Sequence, residues 1–201
     1  MPKVSDEHKA EQRERILRGT MEVFARKGVG ATTMGDIIEV SGLSAGAIYG
    51  YYSGKDDLIR QAAEDVLMSR RADLERLAAG NPLLPPHELI HALLSGLLAE
   101  LPEPAIVLQF WAQSHADAEV RAVAERAVAT LGAAMDSYLT AWFRSKGMTP
   151  ARARTRAALV RPALISLIQG YVVQTALGIA PDVDAYAVSL AAALDGGLGP
   201  S

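Results

Sequence analysis

The sequence predicts an all-α protein, and three observations carry that reading. Alternating β-branched runs are missing, while Ala, Leu, Arg and Glu, all competent helix formers, dominate. Apolar residues recur at spacings of three and four, the period of one helix face. Glycine, proline and capping residues fall between the periodic stretches, where helices should start and stop.

The elements follow in order. Glu7 to Lys27 carries a stripe of Ile16, Leu17, Thr20, Val23 and Phe24, ended by Gly28. Thr33 with Asp36 three residues on reads as a capping box. The short helix behind it offers Met34, Ile37 and Ile38 to a core and stops at Gly42. Ser44 caps a third helix that runs to about Tyr51. Ser53 with Asp56 repeats the capping signature and opens a long fourth helix through Ala79. Asn81-Pro82 and Pro85-Pro86 mark a loop. His87–Leu101, Pro104–His115, Ala118–Lys146, Pro150–Leu177 and Val183–Leu194 complete about nine helices. Asp117, Thr149 and Asp182 are the expected N-caps there, and Gly147 and Gly178 the expected stops. No internal repeat or low-complexity linker breaks the series. The expected division is a helix-turn-helix domain over 1–54 and a helical domain over 55–201.

Composition narrows the function. The chain has 201 residues, half of them hydrophobic, enough to bury a core. It has no cysteine, which removes disulfides, thiolate metal sites and a cysteine nucleophile, and suits a reducing cytoplasm. No uninterrupted apolar run reaches the 18–20 residues that a membrane span needs, and the charged start MPKVSDEHKAEQRER is unlike a secretory signal. The net charge of −3 argues against a general polyanion binder. Residues 1–60 are balanced, with nine basic and nine acidic residues, so the whole deficit lies after residue 60. A balanced front end can still present a local basic face to nucleic acid.

The stretch SGLSAGAIYGYYSGKDDL, Ser41 to Leu58, holds four glycines and three tyrosines. Two short helices joined by Ser41-Gly42-Leu43 form a helix-turn-helix, with the glycine supplying the backbone freedom of the turn. Leu43, Ala47 and Ile48 pin the third helix, leaving Ser44, Ala45, Gly46, Tyr49, Gly50 and Tyr51 mainly outward. Small residues for close approach, with donors in the N-terminal half, suit a helix that enters the DNA major groove.

At these residues the chain resembles the TetR family of one-component transcriptional repressors. TTMGDIIEVSGLSAGAIYGYYSGKDDL is similar to that family's T-x-x-x-I-A-x-x-A-G-V-S-x-G-x-x-Y-x-H-F-x-x-K-x-x-L pattern. Thr33, Ile37, Gly42, Ser44, Gly46, Tyr49, Lys55 and Leu58 fall in register. Beyond residue 60 only the number and length of helices agree. Tyr51-Tyr52 replaces the usual His-Phe, where Tyr52 can keep the buried aromatic role and Tyr51 can donate to a phosphate; Ile38 and Ser41 replace alanines, which are packing changes.

The resemblance implies a DNA-binding, ligand-responsive homodimer, with no enzymatic activity and no cofactor. Thr33 and Lys55 stand at helix N-termini that favour a phosphate. Tyr49 and Tyr51 are expected on the DNA backbone, Tyr49 also against a thymine methyl, and Ser44, Ala45 and Gly46 at base edges. An arm bearing Lys3, Lys9 and Arg13 would add further contacts. The plainer alternative makes the serines caps and the tyrosines packing. Pro150–Leu177 is apolar nearly all round, and Val183, Ala187, Leu190 and Leu194 form one seam of the last helix. The family dimerises through these two helices, so residues 150–194 are the expected interface. Gln109, Trp111, Gln113, Met135, Tyr138, Trp142, Gln169 and Gln174 lie among apolar neighbours, and Trp111, Tyr138 and Gln169 are the expected lining of an effector pocket. Each has the simpler reading of a core residue with a satisfied polar tip.

One motif competes. His87-Glu88-Leu89-Ile90-His91 matches H-E-x-x-H, which on a helix puts two imidazoles on one face with a carboxylate as base, as in a metal-dependent hydrolase. His115 is the sole histidine downstream and no third ligand sits at the expected spacing. Gly54-Lys55 continues with Asp56 and has Tyr49 where a phosphate-binding loop needs glycine. Gly28-Val29-Gly30 follows a helix and has Thr33 in place of a third glycine.

Overall fold

The computed structural model describes residues 6–101 and 103–195, and among them every regular element is an α-helix. In chain order these are α1 (Asp6–Lys27), α2 (Met34–Ser41), α3 (Ala45–Tyr49), α4 (Lys55–Ala78), α5 (Pro86–Glu100), α6 (Ala105–Ala116), α7 (Ala118–Ser145), α8 (Pro150–Ala176) and α9 (Val183–Asp195). Packing groups the chain into two compact units, Met1–Asp65 with Leu101–Ala124, and Val66–Glu100 with Glu125–Ser201. The motif alone suggested a boundary at residue 54; α6 and the first turns of α7 pack in the first unit.

Capping follows the sequence closely, with one exception. Asp117 Oδ1 accepts from the N–H groups of Glu119 (2.8 Å) and Val120 (3.1 Å), Thr149 Oγ1 from Arg152 (3.5 Å), and Asp182 Oδ1 from Ala185 (2.8 Å). Gly28, Gly147 and Gly178 adopt positive φ at the helix stops, where an L side chain is disfavoured. The exception is α4. Asp57, not Asp56, accepts from the Ser53 N–H (2.9 Å) and hydroxyl (3.2 Å), because the carboxylate one residue further on reaches back over the first turn.

The first unit holds two apolar clusters. Ile16, Ile37, Ile48, Tyr52 and Leu58 form one, with Leu17, Met34, Ile38, Leu43 and Tyr51 at its margin. Phe24, Val29, Ile59, Ile106 and Val120 form the other. The Tyr52 ring is buried, and its hydroxyl has no hydrogen-bond partner among the described residues. Burial raises its ionisation, and the Arg13 guanidinium partly opposes that.

In the second unit α9 packs along α5. The α9 seam turns partly inward within the chain: Leu190 is 2% exposed, and Val183, Ala187 and Leu194 are half-buried. Arg70 is buried between Asp73 (2.9 Å) and Glu100, and Gly96 makes room for it, since a Cβ there would meet the guanidinium at 2.6 Å. Tyr171 and Tyr186 stack with ring centroids 4.4 Å apart. α8 is long and apolar enough to cross a membrane; Leu159 and Val173 stand exposed on it, and Leu177 just after it.

Candidate nucleic-acid interface

The helix-turn-helix is fixed by small, local interactions. Thr33 caps α2: its hydroxyl oxygen accepts from the Asp36 N–H (3.3 Å), and Asp36 accepts in return from the Thr33 N–H (2.9 Å). The Lys27 ammonium ion-pairs with Asp36 and, with the bonds donated by the Thr33 N–H and hydroxyl, holds its carboxyl at about 2. Gly42 ends α2 with φ +63°, and its N–H donates to the Ile38 carbonyl (3.1 Å). Arg15 of α1 donates from Nε to the Ser41 carbonyl (2.7 Å) and from Nη2 to the Gly42 carbonyl (3.4 Å), so a cation satisfies the last carbonyls of α2. A Cβ at Gly42 would meet that guanidinium at 2.8 Å. The backbone angle favours glycine, and a side chain there would also displace the end of Arg15.

Ser44 then caps α3, accepting from the Ala47 N–H (3.2 Å). Ile48 is fully buried beneath, while Ser44, Ala45 and Gly46 are exposed and Tyr49 is 53% exposed. Nothing lies within 4 Å of a Cβ built on Gly46. The outward residues of α3 are thus small, with one aromatic ring at the C-terminal end.

The flanking positions are engaged within the chain. Tyr51 donates its hydroxyl hydrogen to Gln12 of α1 (2.9 Å), so it can meet a phosphate as donor only by exchanging that bond. Lys55 is the first residue of α4, and its ammonium donates to the carbonyls of Val29 (3.4 Å) and Gly30 (3.2 Å). Lys9 and Arg13 belong to α1 rather than to an extended arm, because the helix begins at Asp6, and Arg13 donates to Gln61 (3.4 Å). Lys3 lies outside the described residues.

The residues expected around an effector are not gathered in one unit. Trp111, half-buried on α6, belongs to the first unit, and Tyr138 and Gln169 to the second. Tyr138 is fully buried and donates to the Leu84 carbonyl (2.6 Å), and burial pushes its ionisation well up. Gln169 is exposed on α8. The second unit has an open groove of about 360 Å³ between Met148, Ala151, Arg152, Thr155, Arg156 and Leu159, which includes none of the three. Gln109 accepts from the Val29 N–H (2.5 Å) instead of facing a pocket.

His87, Glu88 and His91 all lie on α5. His91 Nε2 is 2.7 Å from Asp184 Oδ1 of α9, and His87 Nε2 is 3.9 Å from Glu88. Among the described residues no three His, Cys, Asp or Glu side chains gather as a metal site.

Arg15, Gln12 and Gln109 support this interface, and the sequence did not single them out for that role. Each acts across more than 25 residues of chain, and a polar residue on a helix carries no signal of its distant partner.

A buried three-helix framework with a small-residue face on its last helix is the arrangement of a helix-turn-helix module. Residues 16–62 match the family described as "Bacterial regulatory proteins, tetR family". That family is one of regulators, not enzymes. The chain is 36% identical over 102 residues to the uncharacterized HTH-type transcriptional regulator YfiR of Bacillus subtilis, which covers 51% of this chain and 46% of YfiR. It is 40% identical over 65 residues to the HTH-type transcriptional repressor AcnR of Corynebacterium jeikeium, covering 32% and 34% respectively. The matches therefore span less than half of these curated relatives. The fold is similar to that of the transcriptional regulator FadR from Bacillus subtilis, solved in complex with stearoyl-CoA, with TM-score 0.70 and 18% identity over 88% of this chain and 94% of that one.

Proposed function

We propose that the protein is a cytoplasmic, ligand-responsive transcriptional regulator that represses by binding a near-palindromic operator as a homodimer. The observation that carries this is the exposed Ser44, Ala45, Gly46 and Tyr49 face over the buried Ile48, in a module that matches the tetR family. Ser44, Ala45 and Gly46 would approach base edges, where small residues let the backbone come close. Tyr49, Tyr51, Thr33 and Lys55 would meet the DNA backbone. Two recognition helices ~34–36 Å apart or somewhat more would enter successive major grooves.

The dimer would form over residues 150–194, through the uncovered faces of α8 and α9. Leu159 (68%), Leu177 (62%) and Val188 (71%) are exposed there, and large apolar side chains in one region mark an interaction surface. The effector would be a largely apolar molecule. Trp111 is its best-placed contact of the three expected, since Tyr138 is committed to Leu84 and Gln169 faces outward. An acyl-CoA is the first candidate to try, because FadR, of similar fold, is described with stearoyl-CoA. By linkage such a molecule releases DNA only if it binds the DNA-free conformation more tightly.

The test is selection of duplexes from a random library, followed by binding titrations at several salt concentrations. A palindromic consensus is expected, with Lys55→Ala lowering the salt slope by about 1. Binding that selects no sequence would sink the reading. Trp111→Ala should keep DNA binding and blunt release by stearoyl-CoA, if that molecule releases the wild type. The rival reading, a hydrolase using His87, Glu88 and His91, requires stoichiometric zinc after dialysis.

A further inference from the structure

We infer that Gln109 is a positioning residue for DNA binding, which acts through the α1–α2 turn to aim the Lys55 ammonium. The inference rests on the reading of the first unit as a DNA-binding module.

The turn from Gly28 to Thr32 is held at several of its backbone groups. Thr32 donates its hydroxyl to the Gly28 carbonyl (2.8 Å). The Val29 N–H donates to Gln109 Oε1 of α6 (2.5 Å), and the Val29 carbonyl accepts from Lys55 of α4 (3.4 Å). The Gly30 carbonyl takes the second Lys55 bond (3.2 Å). One peptide segment thus joins α6 to the first residue of α4. The Val29 side chain, 3% exposed, packs with Phe24, Ile59, Ile106 and Val120 and fixes the segment from beneath. At Gly28, φ is +81° and a Cβ would meet Gln109 Oε1 at 3.2 Å, so the glycine also leaves room for the amide.

The direction of the effect follows from the chemistry of each group. Lysine is a point charge on a flexible four-carbon stem, so its own geometry does not aim it. Two carbonyls in a fixed turn do. Those carbonyls keep their place only while the turn keeps its partners, and a Val29 N–H that loses Gln109 is a donor without a partner in a partly buried site. The turn must then shift to recover a bond, and the Val29 and Gly30 oxygens shift with it. Hydrogen bonds at both ends of a run of peptides also strengthen one another, which couples the amide to the ammonium. Gln109 never needs to touch DNA.

The experiment uses the full chain and a duplex selected from a random library by the wild type. Gln109→Met removes the acceptor at nearly constant shape, and Gln109→Glu keeps it. Gln109→Met should weaken binding about three- to tenfold, the size of one hydrogen bond, and lower the salt slope by about 1, as Lys55→Ala does. Gln109→Glu should restore both. The double variant Gln109→Met with Lys55→Ala should bind no more weakly than Lys55→Ala alone. A purely structural glutamine would weaken binding with the slope unchanged and with effects that add; either result, or full affinity in Gln109→Met, overturns the inference. Should Gln109→Met fail to fold, Gln109→Asn, whose amide is one methylene too short, gives the same readouts. A wild type that selects no sequence overturns the DNA-binding reading itself, and the inference with it, before any variant is made.

Discussion

The outward face of α3 and the outward faces of α8 and α9 differ in kind. On α3 the exposed residues are Ser44, Ala45, Gly46 and Tyr49, and large aliphatic side chains such as Ile48 point inward. On α8, just after it and on α9 the exposed residues include Leu159, Val173, Leu177 and Val188. A surface of small and polar groups can stay in water until a polar partner arrives. Large apolar groups cannot do so as cheaply, since burial is worth about 25 cal/mol per Å² of apolar surface. The two faces therefore suit different partners, a transient one for α3 and a lasting one for α8 and α9.

Neighbouring residues of α9 give the largest contrast. Leu190→Asp would bury an unpaired charge against the chain's own core, at a cost of several kcal/mol, and should unfold the second unit. Val188→Asp, 71% exposed in the single chain, should leave the fold intact and shift sedimentation from dimer to monomer. An unchanged sedimentation coefficient for Val188→Asp would remove this face as the interface. Flotation of the wild type with lipid vesicles would instead assign α8 to a membrane.

The first unit should be sensitive in its core and tolerant on its face. Ile37→Ala removes a fully buried side chain and should cost about 2–5 kcal/mol, read by chemical denaturation. Ala45→Ser, at an exposed position, should leave stability unchanged and alter which duplexes are selected. Equal losses for the two would mean that α3 is packed on both sides.

A smaller effect separates the second unit's core from an effector site. Tyr138→Phe strips the donor from the partly buried Leu84 carbonyl and should cost about 1–3 kcal/mol of stability. DNA release by an effector should be unaffected. Loss of release with stability intact would restore Tyr138 to a binding role.

The smallest effect is at the α2 cap. The Asp36 carboxyl falls from 3.8 to about 2 in the folded chain. A depressed carboxyl adds stability that is fully present above its unfolded value and is lost as pH falls through the folded one. The contribution should therefore disappear between about pH 4 and pH 2. Asp36→Asn should flatten that part of the acid limb and leave the neutral plateau lower; an acid limb identical to wild type would mean that Lys27 and Thr33 do not grip the carboxylate in solution.

Local chemistry made most of the fold legible. Thr33, Ser44, Asp117, Thr149 and Asp182 act as caps because a cap is written in two or three adjacent residues. The helix-turn-helix was readable for the same reason. Asp57 at the start of α4 escaped because two successive carboxylates compete for one cap, and only the turn's geometry chooses between them. The α9 seam was seen as a seam, but periodicity does not say whether α5 or another molecule covers it. Tyr138 and Gln169 show the same limit: an aromatic residue and an amide among apolar neighbours look alike in sequence, yet one is buried against Leu84 and the other faces out. Arg15 and Gln109 act across 26 and 80 residues of chain, beyond the reach of any local pattern.

The Gly46 position has a consequence for how such a protein changes over time. No atom lies within 4 Å of a Cβ built there, while Ile48 and the Arg15-bound turn hold the helix in place regardless. A mutation at Gly46 therefore meets little resistance from the fold: helix propensity should even favour it, by about 1 kcal/mol for alanine over glycine. On the proposed function, what would resist it is the approach to DNA. The position would then work as a mutable letter set in a rigid frame, so a lineage could acquire a new operator in single steps without passing through an unstable protein.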